Sequence, residues 1–255
     1  MRVFQKLRAV LAQRDIKARK TSRNGERGNV LFYILIAVAL IAALSYAVSG
    51  TSRGGGATDI TEERANLAAS EILEYANIVS NAVTQLQLRG VEPSELCFDA
   101  PGWSDTSYNY AGCSDNFNRV FHIEGGGVTL ITVPEASLTP DASNPAEWRF
   151  TAVNEISGVG NTCGDASCSE LIMRANNINE EVCIQINNIL GVGAKNAEPP
   201  EDDDTGGDRF IGTFGYMETV ADETAGAPAL GRKAACMYQT GGTPKYFFYK
   251  VLIAR

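Results

Sequence analysis

The residues with the most chemical character are six cysteines, Cys97, Cys113, Cys163, Cys168, Cys183 and Cys236, all in the later part of the chain. An even count in a chain with no metal-ligand spacing points to disulfides in an oxidising compartment. Spacing alone leaves the connectivity open. The pairing expected is Cys97–Cys113, Cys163–Cys168 and Cys183–Cys236: the first two close short local loops, and the third ties a helix to the C-terminal strands. Metal binding is the alternative, and it needs a Cys-x-x-Cys pair or histidine partners. Cys163 and Cys168 have four residues between them, and the single histidine, His122, is remote.

The sharpest polar feature is the run 199–208, Pro-Pro-Glu-Asp-Asp-Asp-Thr-Gly-Gly-Asp. Clustered carboxylates on a glycine-containing loop suit a hard, oxygen-seeking cation. Asp202, Asp203, Asp204 and Asp208 are the residues that would take calcium. The run lacks the alternating Asp spacing and distal Glu of an EF-hand loop, so a solvated acidic loop is the simpler reading and no cofactor is required. Glu180-Glu181 resembles an acid/base pair only in sequence, because adjacent helix positions point to different faces. Two acids there suit the positive end of a helix instead. The triple glycine 125–127 has no following helix and lysine, so it is no phosphate loop. With one histidine, no Gly-x-Ser-x-Gly elbow and no cofactor fingerprint, no catalytic residues are assigned and no enzyme is expected.

Elements must position these residues. Asp59 to Arg89 predicts an amphipathic helix, with Ala65, Ala68, Ile72, Ala76, Val79, Val83 and Leu86 at three- and four-residue steps. Gly90 and Pro93 end it. Val91 to Asn118 is rich in turn residues, and its aromatics Trp103, Tyr108 and Tyr110 lie within the Cys97–Cys113 loop, tucked beneath the bridge or exposed as a binding surface. Arg119 to Ile123 and Val128 to Val133 predict a hairpin around the triple glycine, with His122 in a structural position. Trp148 to Ile156 is a further strand. Asn179 caps a second helix that Gly191 closes. Ala234 to Gln239 and Lys245 to Ile253 form a C-terminal hairpin.

The N-terminal part differs in kind. Met1 to Gly28 holds nine basic residues against two acidic ones, whereas the remainder holds 13 basic and 28 acidic, within a total of −8. The acidic balance argues against nucleic acid as a partner. Val30 to Val48 carries no charge and, as a helix, would run about 28 Å, near the thickness of a bilayer core. The basic flank would stay in the cytoplasm. Ser49 to Asp59, with three consecutive glycines, should break the helix.

The run Arg27-Gly28-Asn29-Val30-Leu31 after a basic leader resembles the class III leader of type IV pilins and type II secretion pseudopilins. The resemblance covers roughly Met1 to Gly90. It implies processing between Gly28 and Asn29 and methylation of the new N-terminus. Its implied partners are a prepilin peptidase, other pilin-like subunits, membrane lipid and, indirectly, an assembly platform and ATPase. The family's Glu at mature position five is absent, since Tyr33 stands there, which favours a minor or tip subunit.

The expected architecture is therefore α+β and pilin-like. A long N-terminal helix, half in the membrane and half amphipathic, packs on an antiparallel sheet with disulfide-braced loops. Residues 1–28 form the leader, 29–58 the transmembrane helix and glycine-rich break, 59–90 the amphipathic helix, and 91–255 the globular domain. The expected location is the bacterial inner membrane, single-pass, N-terminus cytoplasmic, with the globular domain periplasmic or on an extracellular filament. The expected function is a structural subunit of a pilus-like or pseudopilus filament. The alternatives are an anchored periplasmic binding module that does not polymerise, or a secreted soluble domain.

Overall fold

The computed structural model describes residues 32–44, 58–100, 108–138, 147–202, 207–221, 228–240 and 245–255. They fall in two compact units, Met1–Asp59 and Ile60–Arg255. In the first unit the only described element is helix α1, residues 32–44. Its thirteen residues, Phe-Tyr-Ile-Leu-Ile-Ala-Val-Ala-Leu-Ile-Ala-Ala-Leu, are all exposed.

In the second unit α2 (Thr58–Leu88) follows the predicted boundaries closely. Its stripe from Ala65 to Leu86 is buried at every position named above. Gly90 ends it at φ 93°, a left-handed turn that glycine takes without strain. The sheet contains β1 (Trp148–Ile156), β2 (Glu170–Ile178), β3 (Glu201–Asp202), β4 (Glu218–Val220), β5 (Ala234–Gln239) and β6 (Lys245–Ile253), and α3 (Glu180–Leu190) lies between β2 and β3 in the chain. Strand order is β3-β5-β6-β2-β1-β4. The four central strands pair antiparallel, whereas β4 on β1 and β3 on β5 are parallel.

The two faces of this sheet are buried in different ways. One face, with Phe150, Met173, Ala175 and Phe248, packs with the α2 stripe and with Val182 and Ile186 of α3. Tyr75 of α2 meets Trp148 of β1 with ring centroids 5.2 Å apart, and Phe98 stacks on Phe150 at 4.1 Å. The other face, with Ile156, Ile172, Met237, Phe247, Tyr249 and Val251, forms a second cluster with loop residues and none from α2. The sheet has curled so that this face encloses its own core. The edges come together: the Asp202 carboxylate at the end of β3 accepts a 2.8 Å hydrogen bond from the Ala221 amide just beyond β4. The result is a nearly closed, barrel-like sheet.

This corrects the expected fold. The described residues form a mixed α/β fold with three α-helices, none of them a long apolar N-terminal helix, and the architecture is not pilin-like. A pilin-like layer needs one sheet face covered by helix and one long helix continuous from an apolar half; here both faces of a mixed sheet are buried, and α1 and α2 belong mainly to different units. The expected location is corrected too. Among the described residues no helix is long and apolar enough to cross a membrane. Of the predicted span 30–48, residues 30–31 and 45–48 lie outside the described residues. A single-pass inner-membrane placement is therefore unsupported, while three disulfides belong to an oxidising, non-cytoplasmic setting.

Trp148–Ile156, α3 and the β5–β6 hairpin lie where their patterns put them. Asn179 caps α3 by accepting a 2.9 Å bond from the Val182 amide, and Gly191 closes it at φ 66°. The hairpin around the triple glycine is absent. The Gly126 amide donates to the Arg119 carbonyl at 2.8 Å, and a Cβ on Gly125 would collide with that same oxygen, so the glycines fold a compact turn in place of two paired strands.

Candidate functional site

Three arrangements stand out. The first is α1 itself. Phe32, Ile34, Leu35, Val38, Leu40, Ile41 and Leu44 project on every side of the helix, and each is more than half exposed. An ordinary surface helix hides one apolar stripe; this one hides none. An exposed apolar surface of this extent makes α1 a candidate for association.

The second is a cavity of about 230 Å³ where the first turn of α3 meets β3 and the β5–β6 hairpin. Its walls are Glu180, Glu198, Pro199, Glu201, Tyr238 and Tyr246. Pairing of β5 with β6 sets Tyr238 opposite Tyr246, with ring centroids 5.3 Å apart. Burial, followed by the charge and hydrogen bond of Glu180, pushes the Tyr246 hydroxyl up to about 12. Three carboxylates beside two aromatic faces suit a cationic group. Glu180 thus does more than favour the helix dipole, a role that became visible only when β3 and the hairpin were folded against it.

The third is a buried carboxyl pair. Glu155 on β1 and Glu170 on β2 are fully buried. Glu155 accepts from the amides of Cys163 at 3.1 Å and Gly164 at 2.8 Å, and Glu170 from the Ile156 amide at 2.7 Å. The remaining oxygen of each, Oε1, has no partner among the described residues. Burial raises the Glu170 carboxyl to about 7, with the Ile156 amide and Arg255 opposing and the charge of Glu155 adding to the rise. A Glu170 that holds its proton near neutrality avoids two buried charges side by side. Ligand atoms of Glu155, Cys163 and Cys168 lie within 4.8 Å of one another, but both sulfurs are spent in a disulfide and offer no thiolate. Nothing in sequence flagged this pair, because β2 carries Glu170, Arg174, Asn176 and Asn177 and so lacks the alternation that marks a strand.

The disulfides are Cys97–Cys113, Cys163–Cys168 and Cys183–Cys236, the pairs expected. Gly28 and Asn29 lie outside the described residues, as do Trp103, Asp203 and Asp204. Asp202 is buried and engaged with the Ala221 amide, while Asp208 is exposed. Tyr108 is buried, and its hydroxyl accepts from the Phe150 amide at 2.9 Å. The His122 ring accepts from the Glu124 amide at 3.3 Å, in keeping with a structural role. No protein-family model, no curated protein and no solved structure matches the chain.

Proposed function

We propose that the chain is a structural subunit that assembles with other subunits through α1, in the manner of a minor or tip component of a type IV pilus-like or pseudopilus filament. One observation carries the reading: thirteen consecutive apolar residues form a helix with no covered face. Burying such a helix among like helices removes apolar surface from water at roughly 25 cal/mol per Å². The leader-like run ending at Gly28 supports the choice of filament class, by resemblance alone. A prepilin peptidase and partner subunits follow from the same resemblance. The fold beyond α2 contributes a disulfide-braced body that such an assembly would display.

The test is the N-terminus of the protein isolated from its native source, read by intact-mass and peptide mass spectrometry. A mature chain beginning at Asn29, with its amine methylated, is the expected result. A chain beginning at Met1 overturns the filament class. A second reading, an extracytoplasmic binding module, is favoured by the pocket of Glu180, Glu198 and Glu201 with Tyr238 and Tyr246. It predicts binding of a cationic peptide by the unassembled chain, lost on Tyr246→Ala.

A further inference from the structure

The stretch Val128-Thr129-Leu130-Ile131-Thr132-Val133 has the composition of a buried strand, yet it belongs to none. Between Gly127 and Pro134 the chain has no turn, bend, helix or ladder. One side of it is held by a single hydroxyl: Tyr75 of α2 donates to the Thr129 carbonyl at 3.3 Å and accepts from the Ile131 amide at 3.4 Å. Alternate residues of a straight segment direct their backbone groups to opposite sides. The groups of Val128, Leu130 and Thr132 therefore face away from Tyr75; the Val128 amide donates there to the Val120 carbonyl at 3.3 Å, while among the described residues the backbone groups of Leu130 and Thr132 carry no hydrogen bond. Beside the segment runs a groove of about 510 Å³, lined by Tyr75, Ile78 and Ala82 of α2 with Val128, Thr129 and Ile131. Ile131 and Ile78 are both nearly half exposed there.

We infer that this segment is a strand-pairing edge, and that its occupant is the same segment of a second copy, in antiparallel register about Ile131. Three features select a second copy. A two-fold axis at Ile131 sets each Leu130 opposite the other copy's Thr132, so the free donors and acceptors on one side meet the free acceptors and donors on the other. The same axis sets the two exposed Ile131 side chains against each other in the closely spaced, non-hydrogen-bonded position. Finally, residues 125–134 carry no charge in a chain of net charge −8, so two acidic copies can approach there. The straight part of the segment, residues 128–134, is all that such a ladder can use, and it carries no charge to oppose. The contact is independent of α1.

Hydrogen exchange of the full chain, read at residues 130–133 against protein concentration, tests this locally. Wild type is expected to show at least tenfold slower exchange at Thr132 in concentrated than in dilute solution. Ile131→Lys and Ile131→Glu should each abolish that protection with an unchanged melting temperature, because like charges then oppose, and an equimolar mixture of the two should restore it. Concentration-independent exchange in wild type overturns the edge itself. Protection that survives in either variant alone, or that the mixture fails to restore, overturns the second copy as occupant.

Discussion

Helices α1 and α2 are built from similar residue types and end in opposite circumstances. Both are rich in alanine and aliphatic side chains. In α2 the aliphatics fall on one stripe and Glu62, Glu63, Glu71 and Asn77 take much of the rest, so Ile72, Val79 and Val83 reach zero exposure against the sheet. In α1 there is no polar residue to define an outside, and every position is exposed. The difference teaches that apolar content does not decide whether a helix is satisfied within its own chain; periodicity does. Among the described residues α2's demand is met by the sheet, and α1's is not.

That contrast can be broken at several points. The largest effect is expected from Ile36→Lys with Leu40→Lys, one turn apart on α1. Sedimentation of assembled material should fall at least tenfold while the melting temperature of the body stays within about 1 °C, because the second unit holds its own core. Equal sedimentation of the variant would remove α1 as the assembly element. Next, Ile72→Ala in α2 should destabilise the body by about 2–5 kcal/mol, read by denaturant unfolding under oxidising conditions, as expected for a large-to-small change at zero exposure. A loss below about 1 kcal/mol would mean that α2 is not integral to the core.

A pH effect of intermediate size should come from the sheet's enclosed acids. The Glu170 carboxyl is raised from 4.5 to about 7 in the folded protein, so the folded state favours its proton. That contribution is complete below pH 4.5 and is lost as pH rises through about 7. The melting temperature should therefore decline between these values, and Glu170→Gln should flatten the decline. An unaltered slope in the variant would place the titration elsewhere. The smallest effect sharpens the comparison from the other side: Leu67→Lys, on the exposed face of α2, should change stability by no more than about 0.5 kcal/mol.

What could be read in the sequence followed the strength of local pattern. The α2 stripe, the Asn179 cap, the Gly191 stop and the C-terminal hairpin each rest on contacts near in sequence, and each is where its pattern puts it. β2 was illegible because a central strand buried on both faces need not alternate, and this one also carries the buried Glu170 and Arg174. The parallel edges β3 and β4 are two and three residues long, too short for any periodic signal. Sheet closure was beyond reach for the same reason: Asp202 read as one acid of a polar run, and only the arrival of Ala221 makes it a clasp. The candidate site shows the same division. Apolar α1 was visible as a charge-free stretch, but its reading as a membrane span is not supported, because among the described residues no helix is long and apolar enough to cross a membrane. The Glu155–Glu170 pair, assembled from neighbouring strands across a bulge, left no linear trace.

The Cys183–Cys236 bridge has a mechanical consequence. It joins α3 to β5 across 53 positions, a span that includes β3, β4 and the Asp202 clasp. If the chain is drawn out from its two ends, the load passes through the bridge and bypasses everything between its cysteines. At about 3.5 Å per extended residue, roughly 180 Å of contour is thereby withheld from stretching. The closed edge of the sheet thus sits inside a loop that tension cannot reach, and only reduction would expose it to pulling.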